Sequence, residues 1–184
     1  MAVVPFEVAG TAIDGLHVLT MKQVSDERGT VREFYRESAF VEAGLPSLGP
    51  WVQVNVTESR RGAIRGMHGE AMTKLVSVAA GRAHGAYVDA RAGSPTRGRV
   101  VQVELSPGVQ VLVPAGVCNG FQSLEDGTQF LYCFDVEWAP GMAGVACTPL
   151  DPALGIDWPV AVGLADESQV SAKDRSAPTF AELP

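Results

Sequence analysis

The sequence predicts an all-β protein, a sandwich or barrel, with a few short helices that lie mainly near the C-terminus. Between about residues 15 and 138, short apolar runs rich in β-branched residues are separated by Gly, Pro, Asp or Ser clusters, as expected for consecutive strands. The 184 residues include 20 glycines and 12 prolines, a content typical of turn-rich β proteins rather than helical bundles. A chain of this length favours one domain, which we take as residues 1–184.

The individual elements follow from the same pattern. Seven runs are predicted as strands: LHVLTMKQV, WVQVNVT, KLVSVAAG, AYVDAR, RVVQVEL, VQVLVP and FLYCFDVEW. One helix is predicted in ESAFVEAGL, where Ser38 is a candidate N-cap and Gly44 a candidate terminator ahead of Pro46. Beyond about residue 139, the Pro-rich segments DPALGIDWPV and SAPTFAELP predict short helices and coil wrapped on the sheet.

The run WVQVNVT alternates between valines and polar residues, so its two faces differ in a strand with period two. One interpretation is an outer strand whose polar face meets water. The other is a polar face that lines the mouth of a barrel, with the valines packed on a second sheet or subunit. Composition does not choose between them.

Charge and cysteine content exclude several classes of function. With 14 basic and 21 acidic residues the net charge is −7, which disfavours nucleic acid as a partner and leaves any anionic ligand to a few placed cations. No apolar run approaches the roughly 18 residues of a membrane span, and the start lacks the basic region of an export signal. Cys118, Cys133 and Cys147 form no CxxC pair, which predicts buried thiols in the cytoplasm.

The histidines give little support to a metal enzyme. Only His17, His68 and His84 are present, and no HxH pair occurs, whereas a mononuclear site needs at least two histidines plus a carboxylate at one ion. Isolated histidines are usually hydrogen-bonded structural residues, and we interpret His17 and His84 in this way.

His68 differs because of its neighbours. The segment RRGAIRGMHGEAMTKLV holds Arg65, His68 and Lys74 around glycines that would let the backbone approach a ligand closely. These residues form a candidate anion site with a base. A turn with solvated charges is the competing interpretation.

Six ordered motifs extend this segment over nearly the whole chain. They are DERGTVRE, QVNVTESRRGAIRGMH, KLVSVAAGRAHGAYVDARAGSPTRG, VPAGVCNGF, LDPALGIDWP and SAKDR. In this order they resemble the motifs of the dTDP-4-dehydrorhamnose 3,5-epimerase family. The resemblance implies a cupin-like β jelly roll, usually a homodimer in which an N-terminal segment can complete the neighbouring site. It also implies a nucleotide-sugar substrate and activity without a metal or other cofactor.

The resemblance assigns roles to particular residues. It implies that His68 is the general base, that Asp174 orients and charges it, and that Lys74 faces the substrate carbonyl. Arg28 and Arg65 would hold the diphosphate. The remaining substrate contacts that it implies are Glu33, Gln53, Asn55, Asn119, Tyr132, Trp138 and Lys173.

The proposed chemistry requires these residue types. A hydrogen beside the ketone of a 4-keto-6-deoxy sugar is too weakly acidic to leave unless the enolate is stabilised, and a nearby ammonium group stabilises it by several kcal/mol in a dry pocket. An imidazole, whose ordinary pKa is about 6.5, accepts a proton near pH 7, and a carboxylate fixes its tautomer. A guanidinium group binds a diphosphate through paired charge-assisted hydrogen bonds.

Three positions depart from the family pattern. The stretch YCFDVEWAP has Tyr132 at its first position, but Trp138 stands where the family has the tyrosine that returns a proton to the opposite face. An indole N–H donates hydrogen bonds but has no usable acidity. Asn119 replaces a histidine, and Glu70 stands where an amide is expected. The sugar end of the pocket is therefore altered. Two alternatives stay open: inversion at one centre, expected at carbon 3, or a proton returned by water or another residue.

Two other functions stay open at this point. The same base and cation could drive isomerisation or elimination through the same enolate, and a binding protein could keep the nucleotide site without turnover. Retention of both His68 and Asp174 argues against a pure binder, which has no need for a buried base.

Overall fold

The computed structural model describes residues 1–163 and 166–184 and confirms the all-β class. Its strands are β1 Ala2–Val4, β2 Glu7–Gly10, β3 His17–Thr20, β4 Lys22–Asp26, β5 Gly29–Glu33, β6 Gln53–Ser59, β7 Ile64–Glu70, β8 Lys74–Ala80, β9 Ala83–Asp89, β10 Val100–Leu105, β11 Val109–Val113, β12 Val117–Ser123, β13 Thr128–Phe134 and β14 Gly144–Ala146. Helices α1 and α2 span Glu37–Glu42 and Ala172–Arg175, and 3-10 turns span Pro152–Leu154 and Phe180–Glu182.

Two large antiparallel sheets form the body of the fold. One has the strand order β2-β3-β11-β8-β13-β6 and the other β10-β9-β12-β7-β14, while β1, β4 and β5 form a third, small sheet. Side chains that alternate inward along the strands fill the space between the large sheets, among them Val76, Tyr87, Phe121 and Phe130. The rings of Phe121 and Phe130 stack with centroids 4.0 Å apart. Burial of each such side chain stabilises the fold by roughly 1.5–3 kcal/mol.

Part of the outer face of each large sheet is also covered. Leu75 of β8 packs with Leu19 and Phe40 beneath α1, and Met67 of β7 packs with Val88 and Leu154 beneath the C-terminal segment. The predicted C-terminal turns and short helix on the sheet are therefore confirmed. No helix in the described residues is long and apolar enough to cross a membrane.

The end of the predicted helix is confirmed, but its predicted cap is wrong. Gly44 has φ +79°, and the N–H groups of Gly44 and Leu45 donate to the carbonyls of Val41 and Phe40, the hydrogen-bond pattern of a Schellman motif. The N-cap is the extended Arg36, and Ser38 lies inside the helix. The helix starts early because Arg36 pairs with Glu33 at the end of β5, so the chain turns directly from that strand into α1.

Several strand boundaries differ from the prediction. LHVLTMKQV divides into β3 and β4, which belong to different sheets. FLYCFDVEW ends as a strand at Phe134, and residues 135–143 form neither helix nor strand. The strands β7 and β12 were not predicted, because IRGMHGE and VCNGFQS are rich in glycine and polar residues. Val54 and Val56 of β6, and Val52 just before the strand, face outward and are 54%, 59% and 46% exposed.

Candidate functional site

A cavity of about 820 Å³ occupies the end of the space between the two large sheets. The alternation of side chains along the strands determines its lining: on β8, Val76 and Val78 point into the apolar core, and Lys74 two residues earlier points into the cavity. The lining includes the predicted residues Asn55, Arg65, His68, Lys74, Asn119, Tyr132, Trp138, Lys173 and Asp174. The fold thus brings together nine of the twelve predicted site residues.

His68 and Asp174 form a hydrogen-bonded dyad in the cavity wall. His68 lies on β7 and Asp174 in α2, and His68 Nε2 lies 2.7 Å from Asp174 Oδ1. The His68 side chain is 34% exposed, and that of Asp174 is 9% exposed, so the ring is reachable and the carboxylate is buried. Burial alone would raise the pKa of Asp174, but the hydrogen bond and charge of His68, the Gly66 backbone and Ser171 together lower it.

Helix α2 holds Asp174 at this position. Ser171 is the N-cap, and its hydroxyl accepts a hydrogen bond from the Asp174 backbone N–H at 3.1 Å. The parallel bridge between Ile64 and Val170 ties the preceding residues to the start of β7. The Ser-x-x-Asp spacing of this cap was visible in SAKDR as a helix-start signal.

The glycines around His68 serve strand packing rather than ligand approach, so that prediction is corrected. A Cβ atom on Gly66 would lie 2.5 Å from the Gly120 Cα, and one on Gly69 would lie 2.9 Å from the Cys118 Sγ. Both contacts are with β12, the strand beside β7. The glycines therefore let β7 and β12 approach closely and leave the cavity side to His68.

Lys74 is buried and has three acceptors within the protein. Its ammonium group donates to the His68 carbonyl at 3.1 Å, to Asn119 Oδ1 at 2.9 Å and to the Glu70 carboxylate. The predicted contact with a substrate carbonyl would require one of these acceptors to be replaced, because an ammonium group has three donors.

Arg65 and Lys173 supply further positive charge to the wall. Arg65 Nε donates to Ser59 Oγ at 3.2 Å, and Lys173 precedes Asp174 in α2. Both residues are exposed, so their N–H groups are accessible to an anion that enters the cavity.

Trp138 lines the opposite edge. It is 49% exposed, and its backbone N–H donates to Gln53 Oε1 at 2.8 Å. Gln53 Nε2 in turn donates to Asn55 Oδ1 at 3.1 Å. Gln53, which is not part of the lining, therefore connects Trp138 to Asn55 through hydrogen bonds. Burial raises the pKa of the Tyr132 hydroxyl, which weakens that group as a proton donor near neutral pH.

A model of the dTDP-4-dehydrorhamnose 3,5-epimerase family matches residues 10–182. The chain belongs to this family. It is 37% identical to the dTDP-4-dehydrorhamnose 3,5-epimerase of Pseudomonas aeruginosa, over 93% of this chain and 94% of the relative. It is 36% identical to the dTDP-4-dehydro-6-deoxyglucose 3-epimerase of Streptomyces bikiniensis, over 85% of this chain and 80% of the relative.

Solved structures of family members have the same fold. RmlC from Streptococcus suis, in complex with dTDP-D-xylose, superimposes with a TM-score of 0.85 at 29% identity, over 98% of this chain and 94% of that one. ChmJ, a 3'-monoepimerase from Streptomyces bikiniensis in complex with dTDP-quinovose, superimposes with a TM-score of 0.83 at 33% identity. The match covers 93% of this chain and 86% of that one. The expected cupin-like fold is thereby confirmed. Relatives that invert one centre and relatives that invert two are about equally similar to this epimerase-family chain.

Two residues expected to bind substrate in this family lie outside the cavity of their own chain. Arg28 has a side chain 90% exposed and paired with Asp26 at 2.6 Å, and Glu33 pairs with Arg36. Both lie in or beside the hairpin of β4 and β5, which belongs to the small sheet. Gln53, the third residue absent from the lining, is hydrogen-bonded to the Trp138 backbone and to the Asn55 side chain.

Sequence reasoning missed part of this family site. The sequence marks Glu70 only as a departure from the amide of the family pattern, yet this residue lines the cavity and pairs with Lys74. Its signal was the spacing of two residues from His68, which puts both side chains on one face of a strand. Among the described residues, no three His, Cys, Asp or Glu side chains converge as metal ligands. Independence from metal stays a prediction.

Proposed function

We propose that this protein epimerises a dTDP-4-keto-6-deoxyhexose, with His68 as the general base. The observation that carries the proposal is the 2.7 Å hydrogen bond between His68 and Asp174 in the wall of a cavity of about 820 Å³. A partly exposed imidazole backed by a buried, ionised carboxylate accepts a proton and holds the resulting charge.

The reaction follows from the groups around the dyad. His68 takes a proton from the carbon beside the ketone, the C–H electron pair forms a C=C bond, and the ketone oxygen becomes an enolate. The charge of Lys74 stabilises that oxygen. Arg65 and Lys173 bind the diphosphate. A proton delivered to the opposite face then restores the ketone with inverted configuration.

Trp138 favours inversion at a single centre. Its indole lines the cavity where the family pattern has a tyrosine acid, and an indole has no usable acidity. We infer that carbon 3 is the centre inverted, with water as the returning acid, and that the indole stacks on an apolar face of the sugar.

We also propose that the protein is a homodimer. The exposed valines of β6 and the exposed Val3, Val4 and Val31 of the small sheet are apolar surface that a second copy would cover. Contact through the small sheet would also carry Arg28 and Glu33 towards the partner's cavity. Light scattering should give twice the chain mass, and Val54→Lys should shift the mass towards that of one chain.

The remaining proposals concern the chain as a whole. We propose one domain over residues 1–184, activity without a metal, and a cytoplasmic location. The three free, buried cysteines support a reducing compartment. Fractionation of cells with an antibody to the protein tests the location.

Exchange of substrate hydrogen with solvent deuterium tests the proposed function. With dTDP-4-keto-6-deoxyglucose in heavy water, the wild type should incorporate deuterium beside the ketone, and His68→Ala should abolish this exchange while dTDP binding is kept. His84→Ala, which removes a histidine outside the cavity lining, is the control. Full exchange by His68→Ala would exclude His68 as the base. Exchange without net inversion would favour isomerase or dehydratase chemistry, and binding without exchange would favour a pure binding protein.

A further inference from the structure

Glu70 occupies the end of the cavity wall away from the predicted phosphate ligands. It follows His68 by two residues on β7, and both side chains line the cavity. At about 3.3 Å per residue, their Cα atoms lie about 7 Å apart, a span comparable to a hexose ring. Arg65 lies on the other side of His68 along the same strand, so β7 presents a cation, a base and a carboxylate in order.

The Glu70 carboxylate has one oxygen committed to the protein. Its Oε2 atom accepts a hydrogen bond from Lys74, whose other donors bind the His68 carbonyl and Asn119. The other hydrogen bond of this carboxylate comes from the Glu70 backbone N–H. A carboxylate has about four acceptor sites, so sites remain for a ligand. The Glu70 side chain is 24% exposed, against 4% for Lys74. The carboxylate, rather than the ammonium group, is therefore the accessible part of this ion pair.

Glu70 carries its charge near neutral pH. Burial would raise its pKa, but the charge and hydrogen bond of Lys74, together with His68, lower it below its ordinary value. An ionised carboxylate accepts hydrogen bonds and donates none. This end of the cavity consequently favours a ligand group that carries an O–H or N–H and disfavours a phosphate.

We propose that Glu70 determines sugar specificity by accepting a hydrogen bond from a hydroxyl group of the hexose ring. The inference rests on the proposed function, because it assumes that a nucleotide sugar occupies the cavity. The carboxylate also sets the direction of binding: it repels the diphosphate, which lies at the Arg65 and Lys173 end, and attracts the hydroxyl-bearing ring.

The Glu70→Gln variant reverses the hydrogen-bonding character of this position without changing its shape. The amide oxygen stays with Lys74, which requires an acceptor, and the amide NH₂ group then faces the cavity as a donor. Replacement of one ring hydroxyl by fluorine removes a donor at nearly constant size. The two changes together form a double-mutant cycle between protein and ligand.

The experiment measures binding of non-reactive ligands by calorimetry. The ligands are dTDP, dTDP-glucose, and dTDP-glucose analogues with fluorine in place of the hydroxyl at carbon 2, 3, 4 or 6. In the wild type, one fluorinated analogue should bind roughly 10- to 100-fold more weakly than dTDP-glucose, as expected for loss of a charge-assisted hydrogen bond. In Glu70→Gln the same replacement should cost less than about threefold, with affinity for dTDP unchanged.

Glu167→Gln is the matched control. Glu167 also lines the cavity but lies in the 167–174 segment rather than on β7, so this variant should keep the wild-type discrimination. If the analogues lose equal affinity for wild type and for Glu70→Gln, or if no analogue loses affinity, the role of Glu70 is overturned. The proposed function would be unaffected by either result. A wild type that binds neither dTDP nor dTDP-glucose would remove the proposed function and this inference together.

Discussion

The two sides of the cavity are built in different ways. On one side, His68 lies within a strand bonded to neighbours on both edges, and Asp174 is fixed by a capped helix. On the other side, Trp138 lies in the irregular segment 135–143 and is held through its backbone by Gln53. The proposed base therefore lies on regular secondary structure, whereas the residue proposed to contact the opposite face of the sugar lies on a loop. The residue that we propose determines the product, Trp138, therefore lies in a segment without regular secondary structure.

Loss of the charge on Asp174 should have the largest effect. Asp174→Asn keeps the shape but removes the partner of the imidazolium, so we expect turnover to fall by about 100-fold or more with little change in KM. Steady-state kinetics measures both quantities, and dTDP calorimetry checks that nucleotide affinity is unchanged. Asp166→Asn, an exposed change outside the dyad, is the control, and unchanged turnover in Asp174→Asn would contradict the assignment.

The same residue should affect stability in acid. Its folded pKa is lowered from the ordinary value of 3.8, so the ionised carboxylate stabilises the folded state. This contribution is complete above about pH 4 and is lost as the pH falls through the lower folded pKa. Thermal unfolding between pH 2 and 5 should therefore show a shallower acid loss for Asp174→Asn than for the wild type.

A change on the loop side should have a smaller effect on rate but alter the product. We expect the wild type to incorporate solvent deuterium readily at one carbon beside the ketone. Trp138→Tyr restores a phenolic acid and should raise incorporation at carbon 5 by about tenfold. Proton NMR and mass spectrometry locate the label, with Trp138→Phe as the control that lacks a hydroxyl. Rapid double incorporation by the wild type would show that Trp138 does not limit the second inversion.

Removal of the link behind Trp138 should have a still smaller effect. Gln53→Met loses the acceptor of the Trp138 N–H, and we expect turnover to fall roughly 3- to 10-fold, while Gln53→Glu, which keeps an acceptor, should lose less. Acrylamide quenching of Trp138 fluorescence, in a background with Trp51 and Trp158 changed to Phe, should rise only in Gln53→Met. Gln102→Met, which removes a side-chain acceptor of the Asp157 backbone N–H in the same way, should leave both readouts unchanged.

Removal of metal should have no effect. Activity is expected to survive exhaustive chelation, and elemental analysis should find no stoichiometric zinc, iron or manganese. One ion per chain, lost together with activity, would instead require a metal-dependent mechanism.

Prediction from the sequence succeeded best where apolar, β-branched residues form continuous runs. KLVSVAAG and VQVLVP became β8 and β11 because their apolar residues pack on both faces of one sheet. The strands β7 and β12 escaped prediction because glycines replace side chains where the two strands approach closely. The last predicted strand also extended too far, to Trp138. Apolar residues continue beyond Phe134, although pairing with β6 stops there.

Prediction of the site depended on long-range order that periodicity does not contain. His68 and Asp174 are 106 residues apart, and only the ordered motifs related them. Arg28 matched its motif, but it lies outside the cavity of its own chain. The saturation of Lys74 by Glu70 and Asn119 was not predictable either, because it depends on how β7, β8 and β12 converge.

The close approach of β7 and β12 at Gly66 and Gly120 limits how this protein can be redesigned. Any side chain at Gly66 would meet backbone atoms of the neighbouring strand, so the base cannot be shifted by small steps along β7 without separating the sheet. In residues 135–143 only Gly141 has a positive φ, and a Cβ atom there would meet nothing within 4 Å. A directed-evolution library that varies this segment should yield many folded variants with altered products, whereas one that varies residues 64–70 should yield mostly unfolded chains.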